Sequence, residues 1–236
     1  MKTCFIGVQA RSTSSRLPDK CLMKINDRTM IDHILGNCFK TMKYMNKHAE
    51  KSGIYVNYAL LVPTGDKIVD LFKGKCLVIE GDEIDVLSRY VKLQKETNSD
   101  YIVRLTADCP MMKTAIITKH INVAFRNDYD YVANCFEEFR TFVDGHDVEV
   151  VSQKALDWLN TNSRGVEREH VTIKFRTNPP SWAKIGVVME SSDETDVKLS
   201  VDTQDDFNRV KSKMELGMKK RNMAVKRFGR RNVFNF

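Results

Sequence analysis

The chain has 236 residues, of which 42% are hydrophobic and 29% charged, with a formal net charge of +7. This composition excludes a collagen-like repeat, a disulfide mini-protein and a mostly disordered chain, and the length allows one large domain or two small ones. No apolar run reaches the roughly 18–20 residues of a membrane span, and the apolar start is too brief for a secretory signal and lacks a cleavage site.

Taken in order, residues 3–8 read as a strand, and the polar stretch 9–21, with Pro18, as a loop. Met30, Ile34, Leu35, Cys38, Met42 and Met45 recur at helical spacing and predict a helix over 30–48. A strand at 57–62 ends at Pro63; a short helix at 66–72 and a strand at 76–79 follow. The pattern continues with a helix at 85–97, a strand at 101–105, a helix at 114–125, and strands at 131–133 and 148–151. A helix at 152–160, a helical stretch at 165–177, strands at 182–189 and 198–201 and a closing helix at 203–216 complete it. The last seventeen or so residues lack clear periodicity. Residues 216–236 hold Lys219, Lys220, Arg221, Lys226, Arg227, Arg230 and Arg231 and no acid, which equals the whole net charge. The body is therefore neutral, and the basicity says little about nucleic-acid binding. We divide the chain into a domain at 1–217 and a basic tail at 218–236. The six cysteines are scattered without a CxxC pair and read as reduced thiols of a cytoplasmic protein.

Alternating strands and helices predict an α/β fold with a mostly parallel sheet covered by helices on both faces. Ligands of such sheets bind outside the carboxyl ends of the strands, so the loops after Val8, Val62, Ile79 and Leu105 are the places to look. The first loop, from Gln9 and Ala10 through Arg11, Ser12, Arg16 and Pro18 to Lys20, combines small residues, hydroxyls and three cations. It reads either as an anion cradle built from backbone N–H groups and cations or as a solvated basic loop. It matches neither GxxxxGK[ST] nor GxGxxG.

Gln9-Ala10-Arg11 followed by Ser15-Arg16-Leu17-Pro18-Asp19-Lys20 resembles the nucleotide-binding loop of cytidylyltransferases that activate acidic sugars. The likeness is nearest to the spore coat polysaccharide type within the acylneuraminate and keto-deoxy-octulosonate cytidylyltransferase superfamily. It continues in Glu80-Gly81-Asp82-Glu83-Ile84-Asp85-Val86-Leu87-Ser88-Arg89-Tyr90 and in Arg104-Leu105-Thr106-Ala107-Asp108-Cys109-Pro110. Asp144-Gly145-His146-Asp147-Val148-Glu149-Val150, Arg168-Glu169-His170-Val171 and Leu199-Ser200-Val201-Asp202-Thr203-Gln204-Asp205-Asp206 follow. Three positions depart from the family: it usually has Gly at Asp19, often Gly-Asp-Asn-Pro at 107–110, and often Leu at His146.

The resemblance implies a Rossmann-like nucleotide-diphospho-sugar transferase fold and transfer of CMP from CTP to an acidic sugar or similar small anionic acceptor, releasing pyrophosphate. It implies Mg²⁺ on Asp108 and Asp202, with Arg11, Lys20 and Asp108 as catalytic groups. Gln9, Ala10, Arg11, Ser12, Arg16, Lys20, Gly81, Asp85, Arg89 and Thr106 would bind the nucleotide, and Asp147, Glu149, Arg168 and His170 the acceptor. It also implies a homodimer, with no nucleic acid or membrane required. On residue chemistry alone Asp202 equally reads as the cap of the helix that follows it. Residues 81–89 read either as a base and ribose contact or as a capped helix start. Asp147 and Glu149 share one face of a strand, with His146 on the other, and Asp147 reads as an acceptor or metal contact or as a salt-bridged structural group. Two rivals stand beside the transferase: a glycosyltransferase using a nucleotide-sugar donor, for which Asp128-Tyr129-Asp130 supplies a DxD pattern, and a non-catalytic nucleotide-binding protein. The DxD pattern begins a strand instead of ending one, which places it at the far edge of the sheet.

Overall fold

The computed structural model describes residues 1–228, without the side chains of Val225, Lys226 and Phe228. Strand β1 (Lys2–Gln9) leads through a small hairpin, β2 (Lys24–Ile25) and β3 (Arg28–Thr29), into helices α1 (Met30–Lys47) and α2 (Ala49–Ser52). Next come β4 (Ile54–Pro63), α3 (Ile68–Phe72), β5 (Leu77–Gly81), α4 (Val86–Thr97), β6 (Tyr101–Thr106), α5 (Thr114–Asn127) and β7 (Tyr131–Ala133). The last part holds β8 (Glu149–Ser152), α6 (Gln153–Asn162), α7 (Val166–Glu169), α8 (Ile173–Thr177), β9 (Ile185–Val187) and α9 (Gln204–Phe228).

Seven strands form one sheet in the order β5-β4-β1-β6-β8-β7-β9. All neighbours are parallel except β8, which runs antiparallel between β6 and β7. Gln9 pairs level with Leu61 on one side and Thr106 on the other, so the loops after β1, β4 and β6 leave along a single edge. Strand residues alternate between the two faces. Cys4, Ile6, Val8, Val103 and Leu105 pack under α1 and α5, whereas Ala59, Leu61, Ile102 and Tyr131 pack under α4, α6 and α8. Gly7 is required by this second face: a β-carbon there would lie 2.8 Å from the Tyr90 ring.

Local chemistry fixes the helix ends. Thr29 and Asp32 form a capping box at the start of α1, and the Asp85 carboxylate accepts from Ser88 N at the start of α4. The β2–β3 turn places Asn26 and Asp27 at φ 50 and 66, the left-handed pair of a tight hairpin. A small third cluster joins this hairpin to α9 through Ile25, Met30, Val201, Phe207 and Val210, with Leu17 and Met23 against it. It anchors the far end of the loop that follows β1.

Several predicted elements differ from the structure. The helix expected over 165–177 is two pieces, α7 and α8, because buried Val171 stands at φ 57, outside the right-handed helical region. The strand expected at 198–201 is a single bridge between Asp144 and Lys198. This segment is pinned instead by Asp144, whose carbonyl accepts from Leu199 N and Ser200 N at 2.6 and 3.2 Å. The strand expected at 182–189 is only β9, and β8 starts at Glu149, so Asp147 precedes the sheet. The closing helix does not stop near 216; α9 continues to Phe228, with residues 216–223 exposed. Arg230, Arg231 and the other tail residues from 229 on lie outside the described residues. Among the described residues no helix is long and apolar enough to cross a membrane.

Candidate active site

The loop after β1 is shaped by its own polar groups. Ala10 N continues the ladder to Leu61 O, Ser12 donates from both N and Oγ to Asp66 Oδ2 at 2.8 and 3.1 Å, and Asp19 N returns to Ser12 O at 3.0 Å. Asp19 stands at φ 57, a left-handed conformation in which the family's usual Gly is at ease. The carboxylate this residue adds is turned to Lys67 Nζ at 2.6 Å.

The loop ends by placing Lys20 over the strand edge. Its Nζ donates to Asp108 Oδ2 at 3.0 Å, to Asp202 Oδ1 at 3.2 Å and to Val201 O at 2.8 Å. Asp108 follows β6, and Val201 N is bonded to Asp108 O at 3.0 Å, which holds the two acidic segments side by side. Asp202 also meets Arg16 at 3.2 Å and Lys198 at 3.1 Å. Burial disfavours charge on both Lys20 and Asp202, but Asp108 and then Asp202 hold the lysine above, and Lys198 and then Lys20 hold the aspartate below, its ordinary pKa. The cap of α9 does not use the Asp202 carboxylate. Asp206 Oδ2 accepts from Thr203 N at 3.1 Å, and Thr203 Oγ1 accepts from Asp206 N at 3.2 Å, so those two residues form the capping box.

Around this cluster lies a cleft of about 330 Å³. Gln9, Ala10, Arg11, Arg16, Lys20, Arg89, Thr106, Asp108, His170 and Asp202, singled out in the sequence, all line it. Arg104, to which sequence reasoning gave no role, lines it too, as does Glu169 of the Arg168-Glu169-His170 triplet that the resemblance places at the acceptor or the dimer mate. The signal for Arg104 was present: it is the one charged residue in the strand Tyr101–Thr106. The cleft presents five cations, Arg11, Arg16, Lys20, Arg89 and Arg104, against three carboxylates, Asp108, Glu169 and Asp202. Arg89 is the least balanced of them. It is 2% exposed, donates to the Leu61 and Ala10 carbonyls at 3.2 and 3.5 Å, leaves Nε without a partner, and has no carboxylate within ion-pair distance among the described residues, Asp82 and Glu83 acting on it only from farther away. Burial pulls its pKa down.

The remaining candidates stand outside the cleft. Ser12 lines a neighbouring depression with Asp66 and Glu83. Gly81 leaves room for Arg89, whose Cγ would lie 2.8 Å from an added β-carbon. Asp85 and Arg168 pair at 2.7 Å and clamp α7 to α4. Asp147 pairs with Arg140 at 2.6 Å, and Glu149 is buried behind Arg104. His146 is buried, its Nε2 3.1 Å from the Met111 carbonyl. The DxD pattern is structural. Asp128 ends α5 in a left-handed conformation and pairs with Lys2 at the amino end of β1, and Asp130 accepts from Lys184 N at 2.9 Å. Both lie at the opposite edge of the sheet from the cleft.

A family model described as cytidylyltransferase matches residues 5–215. The chain is 26% identical over 217 residues to the spore coat polysaccharide biosynthesis protein SpsF of Bacillus subtilis, an alignment covering 87% of this chain and 83% of SpsF. A cytidylyltransferase of Leptospira borgpetersenii has a TM-score of 0.77 and 25% identity, covering 100% of both chains. CMP:2-keto-3-deoxy-manno-octonic acid synthetase, solved in complex with CTP, has a TM-score of 0.64 and 16% identity, over 92% of this chain and 100% of the synthetase. The mostly parallel sheet flanked by helices is the nucleotide-diphospho-sugar transferase fold of these neighbours.

Proposed function

The chain belongs to the cytidylyltransferase family, and from that premise we propose that it transfers CMP from CTP to a small acidic sugar or similar anionic acceptor and releases pyrophosphate. The observation that carries this reading is Arg89: a buried cation with no carboxylate in ion-pair contact among the described residues, in a cleft whose lining has two more cations than carboxylates. An unpaired buried charge is costly, and a bound anion relieves it. A metal-chelated triphosphate, which stays net negative, has the charge this cleft lacks.

Asp108 and Asp202 converge on one cation, the Lys20 ammonium, and offer only oxygen donors. That set fits Mg²⁺, which takes one or two carboxylates and completes its shell with phosphates and water. When bound there, Mg²⁺ screens the phosphate charge and orients the triphosphate. Arg11, Arg16 and Lys20 hold the two phosphates that leave as pyrophosphate. Ala10 and Thr106 wall the nucleotide, and His170 faces the acceptor side. With the α-phosphorus held in line with the acceptor oxygen, the chain contributes mainly positioning and electrostatic stabilisation. A homodimer belongs to the same proposal and is read by light scattering.

The test is a pyrophosphate-release screen of nucleoside triphosphates, with Mg²⁺, against acidic sugars and phosphonates. We expect release that requires both CTP and an acceptor, with CTP ahead of UTP and both ahead of purine nucleotides. Preference for ATP or GTP, or transfer from a nucleotide-sugar without pyrophosphate, overturns the assignment.

A further inference from the structure

Glu149 is the first residue of β8, the antiparallel strand, and pairs in register with Arg104 on one side and Ala133 on the other. Its side chain is 2% exposed, yet it is charged: burial works against the carboxylate, and Arg104 and Arg176 outweigh that effect and hold its pKa below the ordinary value. Its oxygens accept from Arg104 Nη1, from the Thr172 hydroxyl and from the Tyr131 hydroxyl, the last at 2.5 Å, and Arg176 Nε stands 3.7 Å away. A carboxylate so enclosed cannot touch a ligand in the cleft. One of its partners lines that cleft, and a second adjoins residues that do.

The first is Arg104. Its Nη1 is taken by Glu149 and its Nε donates to Gln9 Oε1 at 3.2 Å; the Tyr90 hydroxyl stands 3.2 Å from the same oxygen and 3.3 Å from the Gly7 and Leu105 carbonyls. Arginine only donates, so this contact fixes which end of the Gln9 amide is oxygen and leaves its NH₂ for the cleft that Gln9 lines. The second is Thr172, which follows Val171 at φ 57, a conformation a β-branched residue adopts only when held. Glu149 holds it through Thr172, and the residues just before it, Glu169 and His170, stand on the cleft wall.

We infer that Glu149 is a positioning residue for this cleft: through Arg104 it aims the Gln9 amide donor at the nucleotide, and through Thr172 it sets the turn that carries His170. This rests on the cytidylyltransferase reading above and replaces direct acceptor contact by Glu149 with action through its neighbours. The shared anchor makes the nucleotide wall and the acceptor wall two arms of one buried charge.

The test measures CTP binding, with Mg²⁺, by calorimetry alongside thermal melting. Arg104→Lys keeps a cation beside Glu149 but cannot serve Glu149 and Gln9 together, because lysine lacks the rigid fork. We expect it to melt close to wild type and to bind CTP at least tenfold more weakly. Glu149→Gln weakens CTP binding to the same degree and melts earlier. Gln9→Met reproduces the binding loss, and the Gln9→Met/Arg104→Lys double variant binds no more weakly than either single one, since the three act in series. An Arg104→Lys variant that binds CTP like wild type overturns the inference, as does full additivity in the double variant. Absence of CTP binding in wild type overturns instead the functional reading. The Arg104 Nε proton then still reports: slow exchange in wild type and fast exchange in Glu149→Gln supports the positioning link, and equal exchange overturns it.

Discussion

Asp202 and Asp206 lie four residues apart at the same helix entrance, and the structure gives them opposite work. Asp206 accepts from Asp202 N and Thr203 N, both at 3.1 Å, and pairs with Lys198 and Arg209. Loss of a helix cap costs about 1 kcal/mol, and partly exposed ion pairs add roughly 0.2–1 kcal/mol each. Asp206→Asn should therefore destabilise by about 1.5–3 kcal/mol, which for a domain of this size lowers Tm by roughly 3–12 °C, and leave turnover near normal below the melt. Asp202→Asn leaves the cap intact and removes one formal charge from the pair around Lys20. Its ion-pair partners are Lys20, Arg16 and Lys198, the last two with side chains 68% and 39% exposed, so Tm should move little. Turnover should fall by about 10²–10³, the usual loss of an electrostatic group at a reacting centre. Paired melting curves and pyrophosphate-release rates at saturating Mg²⁺ decide it. An Asp202→Asn enzyme that melts early and turns over normally refutes the reasoning. The two also part in acid. Burial pushes Asp206 up, but Arg209, Lys198 and the backbone donors hold its pKa far below the ordinary value. Because the folded value is the lower one, its stabilisation is full above about pH 4 and drains as the pH falls further, and Asp206→Asn should flatten that acid limb.

Arg89→Met removes the buried cation with no carboxylate in ion-pair contact among the described residues; CTP affinity should fall at least tenfold while Tm holds or rises, and a Tm drop of many degrees would show that the carbonyl contacts of Arg89 dominate instead. Gly145 stands at φ 104, and a β-carbon there would lie 2.6 Å from Ser200 N, so Gly145→Ala should melt several degrees early; a wild-type Tm contradicts the close crossing of the two segments. Truncation after Gly217 removes exposed helix and the basic residues from Lys219 on, so it should weaken heparin retention and keep turnover, and a folded but inactive truncation refutes the tail's dispensability.

The sheet and the cleft were legible because their signals are local. Apolar runs such as Tyr101–Thr106 mark buried strands, and cations and hydroxyls crowded after β1 mark a ligand loop. What escaped depends on contacts distant in sequence. Nothing in the helical spacing of 165–177 shows that Val171 is turned to φ 57 or that the next hydroxyl, of Thr172, meets the distant Glu149. The run 198–201 alternates polar and apolar residues like a strand, but the Asp144 and Asp108 carbonyls take its hydrogen bonds. Glu149 is named as an acceptor residue from its strand face, and the structure buries it behind Arg104, because strand alternation gives a face and not a depth. The hairpin at 24–29 carried a readable sign, Asn26-Asp27 between short β-prone pieces. The continuation of α9 past 216 had weaker marks, as exposed Leu216, Met218 and Met223 do not lie on one stripe.

Lys20 joins two carboxylates made far apart in time. During synthesis the amino-terminal strands and Asp108 emerge first, and chains grow at roughly 5–20 residues per second. Asp202 reaches the ribosome exit only after β1, β4, β5 and β6 have been available to pair, and its segment must then dock against Asp108 O and the β2–β3 hairpin. A nascent chain can therefore hold β1, β4, β5 and β6 and still lack the second acid, with Lys20 paired to Asp108 alone and Arg16 without its carboxylate. The cleft is complete only once the segment carrying Asp202 has docked, so a chain released before it carries a basic cleft with half its acid pair.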